Sequence, residues 1–180
     1  ESVSDWVAAS QATRLANVMF VPSGQPLSSY ELIQRSKFVM IYNSTIGLEA
    51  SILGGAVLCA GKARFTQLPT VFFPQTMDAF RQQAEQFLAA ERVNAPPEFQ
   101  RNARRFLYYQ LFRSSLPFGE YIEEDGIWPG FVRLRRFDWQ RLTAEQSATI
   151  RTILDGLFNL GTFLLTADGT YDADGTSADG

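Results

Sequence analysis

The chain predicts an α/β fold in which a parallel sheet carries helices on both faces, and three observations predict it. Residues 38–42, Phe-Val-Met-Ile-Tyr, form an unbroken apolar run, the pattern of a strand buried on both faces. A polar turn (Asn43, Ser44, Thr45), a helical stretch over 46–53, a Gly54-Gly55 stop and a second apolar run over 56–60 follow directly, which makes a β-α-β unit. Upstream, another strand and helix pattern precede this unit with short connections, and such alternation belongs to doubly wound layers.

Residues 4–16 open with a Ser/Asp cap and place Trp6, Ala9, Thr13 and Ala16 near one stripe, an amphipathic helix. A strand is expected over 17–21, closed by Pro22 and the turn 23–26. The helix over 28–36 starts at Ser28, and Glu31 three places later completes a capping box. After the second apolar run comes a loop over 61–69 with Lys62, Arg64 and Phe65, then a short aromatic strand over 70–73 stopped by Pro74. Thr76 or Asp78 caps the next helix, in which Phe80, Ala84, Phe87 and Leu88 recur at helical spacing. Ala95-Pro96-Pro97 marks a break. The helix beyond it interleaves Arg101, Arg104, Arg105 and Arg113 with Phe99, Phe106, Tyr108, Tyr109 and Phe112. Basic and aromatic residues together suggest single-stranded nucleic acid, but the helical spacing favours a core helix with a solvated face. Residues 119–139 read as an irregular segment packing Trp128, Phe131 and Trp139 against the body. A last helix is expected from Thr143, capped by Thr143 with Gln146 and carrying Ile150, Ile153, Leu154, Leu157 and Phe158.

The chemistry belongs at the turn after residue 42. In open parallel sheets ligands collect at the carboxyl ends of strands, where helix N-termini offer N–H groups and partial positive charge. Ser44 and Thr45 stand there, with hydroxyls suited to capping the helix or to binding a phosphate. Glu49 follows about one turn later, and its carboxylate suits a ribose diol. Gly47 lets a ligand or a neighbouring strand approach closely. Lys62 and Arg64 leave the end of the next strand, within reach of a pyrophosphate beside Ser44 and Thr45. Two plainer readings compete: a capping box for the turn, and solvent-facing charges for the loop.

The segment NSTIGLEASILGGAVLCAGKARF resembles the signature of the capsule polysaccharide biosynthesis glycosyltransferases, the bacterial family that includes Kdo transferases. Asn43, Ser44, Thr45, Gly47, Leu48, Glu49, Ala50, Gly54, Gly61 and Phe65 stand at matching positions. The upstream His-Pro motif of that family is missing, and the chain contains no histidine. The resemblance implies the Rossmann-like C-terminal half of a GT-B fold with additional C-terminal helices. On that plan 1–92 is the nucleotide-sugar-binding core and 93–165 a helical extension of the same domain, while the low-complexity composition of 166–180 reads as a disordered tail. It further implies that Asn43, Ser44, Thr45, Gly47 and Glu49 hold a nucleotide sugar for transfer to a glycan acceptor. Lys62 and Arg64 would form a pyrophosphate loop. No general base can be named, since it would lie in a missing N-terminal domain, and no metal or other cofactor is expected.

Composition bounds the alternatives. A 180-residue chain that is 46% hydrophobic can bury one sizeable core. Its net charge of −3 argues against nucleic acid as the main partner. One cysteine, Cys59, excludes an internal disulfide and reads as a buried small hydrophobe. That single cysteine fits a cytoplasmic location, with peripheral attachment at the inner membrane as an alternative, and no apolar run reaches membrane-spanning length. The chain opens on Glu1 inside a helical pattern, which suggests a fragment of a longer protein. In the tail, Ala-Asp-Gly recurs, and Asp172, Asp174 and Gly175 resemble the start of a calcium loop without its closing Glu, so no metal is placed there. Two rivals to the transferase reading remain: a non-catalytic binding or interaction module in polysaccharide assembly, and a sugar-nucleotide epimerase-like domain.

Overall fold

The structure, a computed structural model, describes residues 2–127 and 130–164. It is a mixed helix and strand fold. Its centre is the predicted β-α-β unit: β1 (Val39–Ile41), α3 (Ile46–Ile52) and β2 (Val57–Cys59), preceded by α1 (Val3–Ser10) and α2 (Ser29–Arg35). The two strands pair in parallel, Val39 opposite Val57 and Ile41 opposite Cys59. Phe72 extends the pairing on the far side of β2, donating its N–H to Val57 O and accepting from Cys59 N–H, each at 2.9 Å. The expected strand over 70–73 is thus reduced to one parallel bridge.

Side chains alternate across a strand, so Val39, Ile41, Val57 and Cys59 share one face. Against it lies α3, brought close by Gly47, where a Cβ would collide with the Ile41 side chain and sit 3.4 Å from Val57 Cγ1. Behind α3 packs α5 (Pro97–Tyr108), whose Ala103 is fully buried in the same core as Leu48, Ala50, Phe65 and Val71. Gln100 Nε2 donates to Ile52 O at 2.9 Å and Asn102 Nδ2 to Pro69 O at 3.1 Å, tying α5 to the end of α3 and to the chain before Phe72. The opposite face is covered by α4 (Met77–Ala89), capped by Thr76 Oγ1 on the Ala79 N–H at 3.2 Å. Its Phe87 ring meets Phe38 and Phe72 edge-on, at centroid distances of 5.2 and 5.0 Å. Lys37 Nζ donates to Leu88 O and Ala90 O, at 2.9 and 2.8 Å, and so pairs carbonyls that the end of α4 leaves open. Helices do flank both faces, but the sheet between them is small.

The large parallel sheet expected from the resemblance is not present among the described residues. Residues 17–21 do not form a strand: Val18 N–H turns back to Leu15 O at 3.0 Å and Met19 is exposed. Without a neighbour to pack against, β propensity has nothing to act on. Consequently β1 is an edge, with Met40 52% and Tyr42 72% exposed, where burial on both faces was expected. The Ser28–Glu31 capping box is also absent. Ser28 makes no side-chain capping bond, and Glu31 pairs with Arg35 one turn on.

Beyond α5 the chain makes a π turn (Tyr109–Arg113), then an antiparallel hairpin of β3 (Ile122–Glu124) and β4 (Val132–Leu134), then α6 (Ala148–Leu157). The region expected to be helical therefore contains a hairpin, with Glu123 and Arg133 paired across it at 2.8 Å. Phe131 and Trp139 are exposed, not packed on the body, and Trp128 lies outside the described residues. Tyr121 takes the interior place instead, its hydroxyl donating to Arg141 O at 2.7 Å and its ring 5.2 Å from Phe137. The cap of α6 is Ser147, whose Oγ accepts the Ile150 N–H at 3.3 Å; residues 143–146 form turns before it. Thr149 and Thr152 are the buried positions of α6, while Leu157 and Phe158 are exposed. The tail expected to be disordered, with Asp172, Asp174 and Gly175, lies outside the described residues. No helix among the described residues is long and apolar enough to cross a membrane.

Candidate functional site

Parallel pairing makes β1 and β2 end side by side, so the loops that leave them start from one edge. Tyr42 O accepts the Gly61 N–H at 2.5 Å, and the Ala60 N–H bonds Ile41 O at 2.9 Å. Gly61 is required at this crossing, because a Cβ would stand 2.9 Å from the Tyr42 ring and 3.0 Å from its carbonyl oxygen. The Cys59 thiol completes the seam, donating toward Tyr42 O and Gly61 O at 3.1 Å each. Burial pushes this thiol above its ordinary pKa, with the Gly61 backbone bond opposing in part. Both predicted clusters, Asn43–Ser44–Thr45 and Lys62 with Arg64, therefore leave one end of the strand pair, and all five residues are exposed.

The turn is less open to an anion than its sequence suggests. Ser44 Oγ accepts the Ile46 N–H in a long bond of 3.4 Å, Ser44 O accepts from Gly47 N–H at 3.1 Å, and Thr45 O accepts from Leu48 N–H at 2.9 Å. The first amides of α3 are thus already paired. Thr45 occupies the N-cap position without a side-chain capping bond. Gly47 is buried against β1 and serves helix–strand contact, so of the two approaches expected at this glycine the structure shows the strand's.

Glu49 does not make the capping bond that the sequence pattern offers. Its carboxylate is not turned to a capping amide; it accepts a hydrogen bond from the Tyr30 hydroxyl of α2. That bond, then the Glu49 charge, raises the Tyr30 pKa above the ordinary tyrosine value. Tyr30 had no signal in the sequence beyond being a polar aromatic in the first turn of a short helix. The partly buried Glu49 and exposed Tyr30 form a surface pair beside α3.

Concave surfaces lie at both ends of the strand pair. A polar groove of about 380 Å³, lined in part by Gly54, Gly55, Arg92 and Asn94, sits at the amino-terminal ends of the strands, away from the turn. Another takes in Arg64, Phe106 and Tyr109, and so connects the predicted cationic loop with the end of α5. That end was read as core-facing. Tyr108 and Tyr109 are instead 50% and 45% exposed, and Phe112 is exposed as well. Helical spacing accounts for Phe99 and Phe106 of the arginine–aromatic run, both half-buried, but not for the exposed Tyr108, Tyr109 and Phe112. Among the described residues no group of His, Cys, Asp and Glu is arranged to hold a metal ion.

Comparison of the chain with family models, with curated proteins and with solved structures finds no match.

Proposed function

We propose that this chain is the nucleotide-sugar-binding part of a glycosyltransferase of the capsule polysaccharide kind, which binds the phosphates of its donor at the carboxyl ends of β1 and β2. One observation carries the binding half of this reading: the Tyr42–Gly61 crossing brings the hydroxyl-bearing turn and the cationic loop to one edge of a parallel strand pair. Ligands in parallel α/β layers collect at that edge. Lys62 and Arg64 supply charge there, and Ser44 and Thr45 supply hydroxyls. The transfer half rests on the resemblance of residues 43–65 alone, with the sugar acceptor and the catalytic base supplied from outside this chain. Phosphate stabilisation at the leaving group would then come from side chains and would need no metal.

A second reading, a non-catalytic binding module, has its own support. The first amides of α3 are paired internally and Glu49 is held by Tyr30, an arrangement that is stable without a ligand. Calorimetric titration with a panel of nucleotide sugars and nucleoside diphosphates separates the two. The donor-site reading expects saturable binding, weakened about tenfold or more by the double variant Lys62→Gln/Arg64→Gln, because two charge-assisted contacts to phosphate are lost. It also expects Glu49→Gln to weaken nucleotides while leaving inorganic pyrophosphate unchanged. Absence of saturable binding by the whole panel, or affinities untouched by both variants, favours the module.

A further inference from the structure

Two adjoining hollows lie where the 3-10 turn Arg64–Gln67 faces the end of α5, and they share Gln67, Phe106 and Tyr109. The larger, about 610 Å³, falls in the range usual for small-molecule sites, roughly 300–1,000 Å³. Arg64 opens on the smaller hollow and Arg105 on the larger, with Arg113 beside it. No carboxylate occurs among the described residues that line either hollow, although the chain as a whole is net acidic. Neither Arg64 nor Arg105 is held by an ion pair among the described residues.

Backbone geometry gathers these groups. The Ser114 N–H bonds Tyr109 O five residues back, at 3.0 Å, so the last turn holds about one residue more than an α-helical turn. That extra residue returns Ser114 toward the face that carries Arg105 and Tyr109, from which a regular helix would carry it off; Arg113, four residues after Tyr109, shares that face in either geometry. Such π turns recur at functional sites, and this one brings Ser114 to a lining that already carries Arg105 and Tyr109.

We infer that this groove binds a phosphorylated planar ligand of the nucleotide class, its ring against Tyr109 and its phosphates toward Arg64 and Arg105. Guanidinium groups match phosphate oxygens in pairs of parallel hydrogen bonds, and an exposed tyrosine face stacks on any flat ring. An apolar partner surface gives no use for unpaired arginines, and a polyanion without rings leaves the tyrosines idle. The inference rests on the groove and not on the reading of the turn. Arg64 is common to both, whereas Arg105 and Tyr109 belong to the groove and Glu49 to the turn.

The test is titration of the whole chain with uridine diphosphate, with inorganic pyrophosphate and uridine as its two halves, for wild type, Arg105→Gln, Tyr109→Leu and Glu49→Gln. All three positions are at least partly exposed, and unchanged melting curves confirm that each variant folds. Arg105→Gln should weaken both uridine diphosphate and pyrophosphate by about tenfold. Tyr109→Leu should weaken uridine diphosphate by roughly five- to fiftyfold and leave pyrophosphate unchanged. Glu49→Gln should leave the groove's affinity as it was. No saturable binding of uridine diphosphate overturns the inference, and so does binding that Arg105→Gln and Tyr109→Leu both leave intact. If sedimentation shows self-association that Tyr109→Leu abolishes while uridine diphosphate does not compete with it, the groove is a contact between copies of the chain and the inference fails. A loss confined to Glu49→Gln would instead support the turn and remove the groove.

Discussion

At the residue scale, a pattern in sequence names a position and leaves its partner open. Glu49 was legible as a carboxylate one turn after a polar cap, and both readings of it assumed an isolated β-α-β unit. The structure adds α2, and with it a tyrosine hydroxyl that reaches the carboxylate across the unit. No periodicity could have named Tyr30, because a pair between two exposed faces leaves no trace in either helix's hydrophobic pattern. The pair makes a specific prediction. Ionising Tyr30 breaks its hydrogen bond to Glu49 and then sets two negative charges together, so this phenol titrates above the ordinary tyrosine range. Its folded-state pKa exceeds the unfolded one, so whatever stability the bond contributes is present below the ordinary value of about 10 and is lost as pH rises past it. Ultraviolet titration of tyrosinate should show a late-titrating group that Glu49→Gln returns to the ordinary range. Equal titration curves for wild type and Glu49→Gln would show that the pair is not formed in solution.

At the scale of elements, the β-α-β unit was legible because each of its parts answers to a local cause. The continuous apolar runs need burial, the glycine pair stops a helix, and Gly47 admits close packing. Three other readings failed for a shared reason. The strand over 17–21, the Ser28–Glu31 box and the Thr143 cap each depend on a neighbour or a chain direction outside the window in which they were read. Caps illustrate this well: Thr76 was legible, but Ser147 displaced Thr143 because the turn over 143–146 delays α6 by one loop. Gly61 is the element-scale prediction. Its N–H closes the two strand ends, and its missing Cβ leaves room for the Tyr42 carbonyl, a backbone atom that cannot swing aside as a side chain can. Gly61→Ala should therefore cost about 1–3 kcal/mol of stability, the range for overpacking a tight site. Gly24→Ala, where an added Cβ meets nothing within 4 Å, should change stability by well under about 1 kcal/mol. Chemical denaturation of both variants checks the contrast, and equal midpoints would mean that the strand ends are not held together as described.

At the scale of the whole molecule, burial converges on β2, whose three residues are all inaccessible while β1 beside it is an edge. Composition could promise a core but not its size, because the number of strands depends on which apolar runs find partners. Cys59 reports on that core. It is fully buried, its thiol is committed to the Tyr42 and Gly61 carbonyls, and burial holds its pKa up. Only the thiolate reacts with alkylating or disulfide reagents, so labelling requires the strand pair to open. Labelling in denaturant should therefore follow the loss of far-ultraviolet ellipticity with a common midpoint. The linked pH effect has a definite sign. The folded state keeps its thiol proton to higher pH than the unfolded state, so the contribution of Cys59 to stability is constant below the ordinary thiol value of about 8.5 and declines as pH rises beyond it. Cys59→Ser should remove that decline between about pH 8.5 and 9.5, below the range in which Tyr30 contributes. Native-buffer labelling as fast as that of a small free thiol, or a pH slope that survives in Cys59→Ser, would place Cys59 outside the cooperative core and break the link between the seam at the strand ends and the stability of the fold.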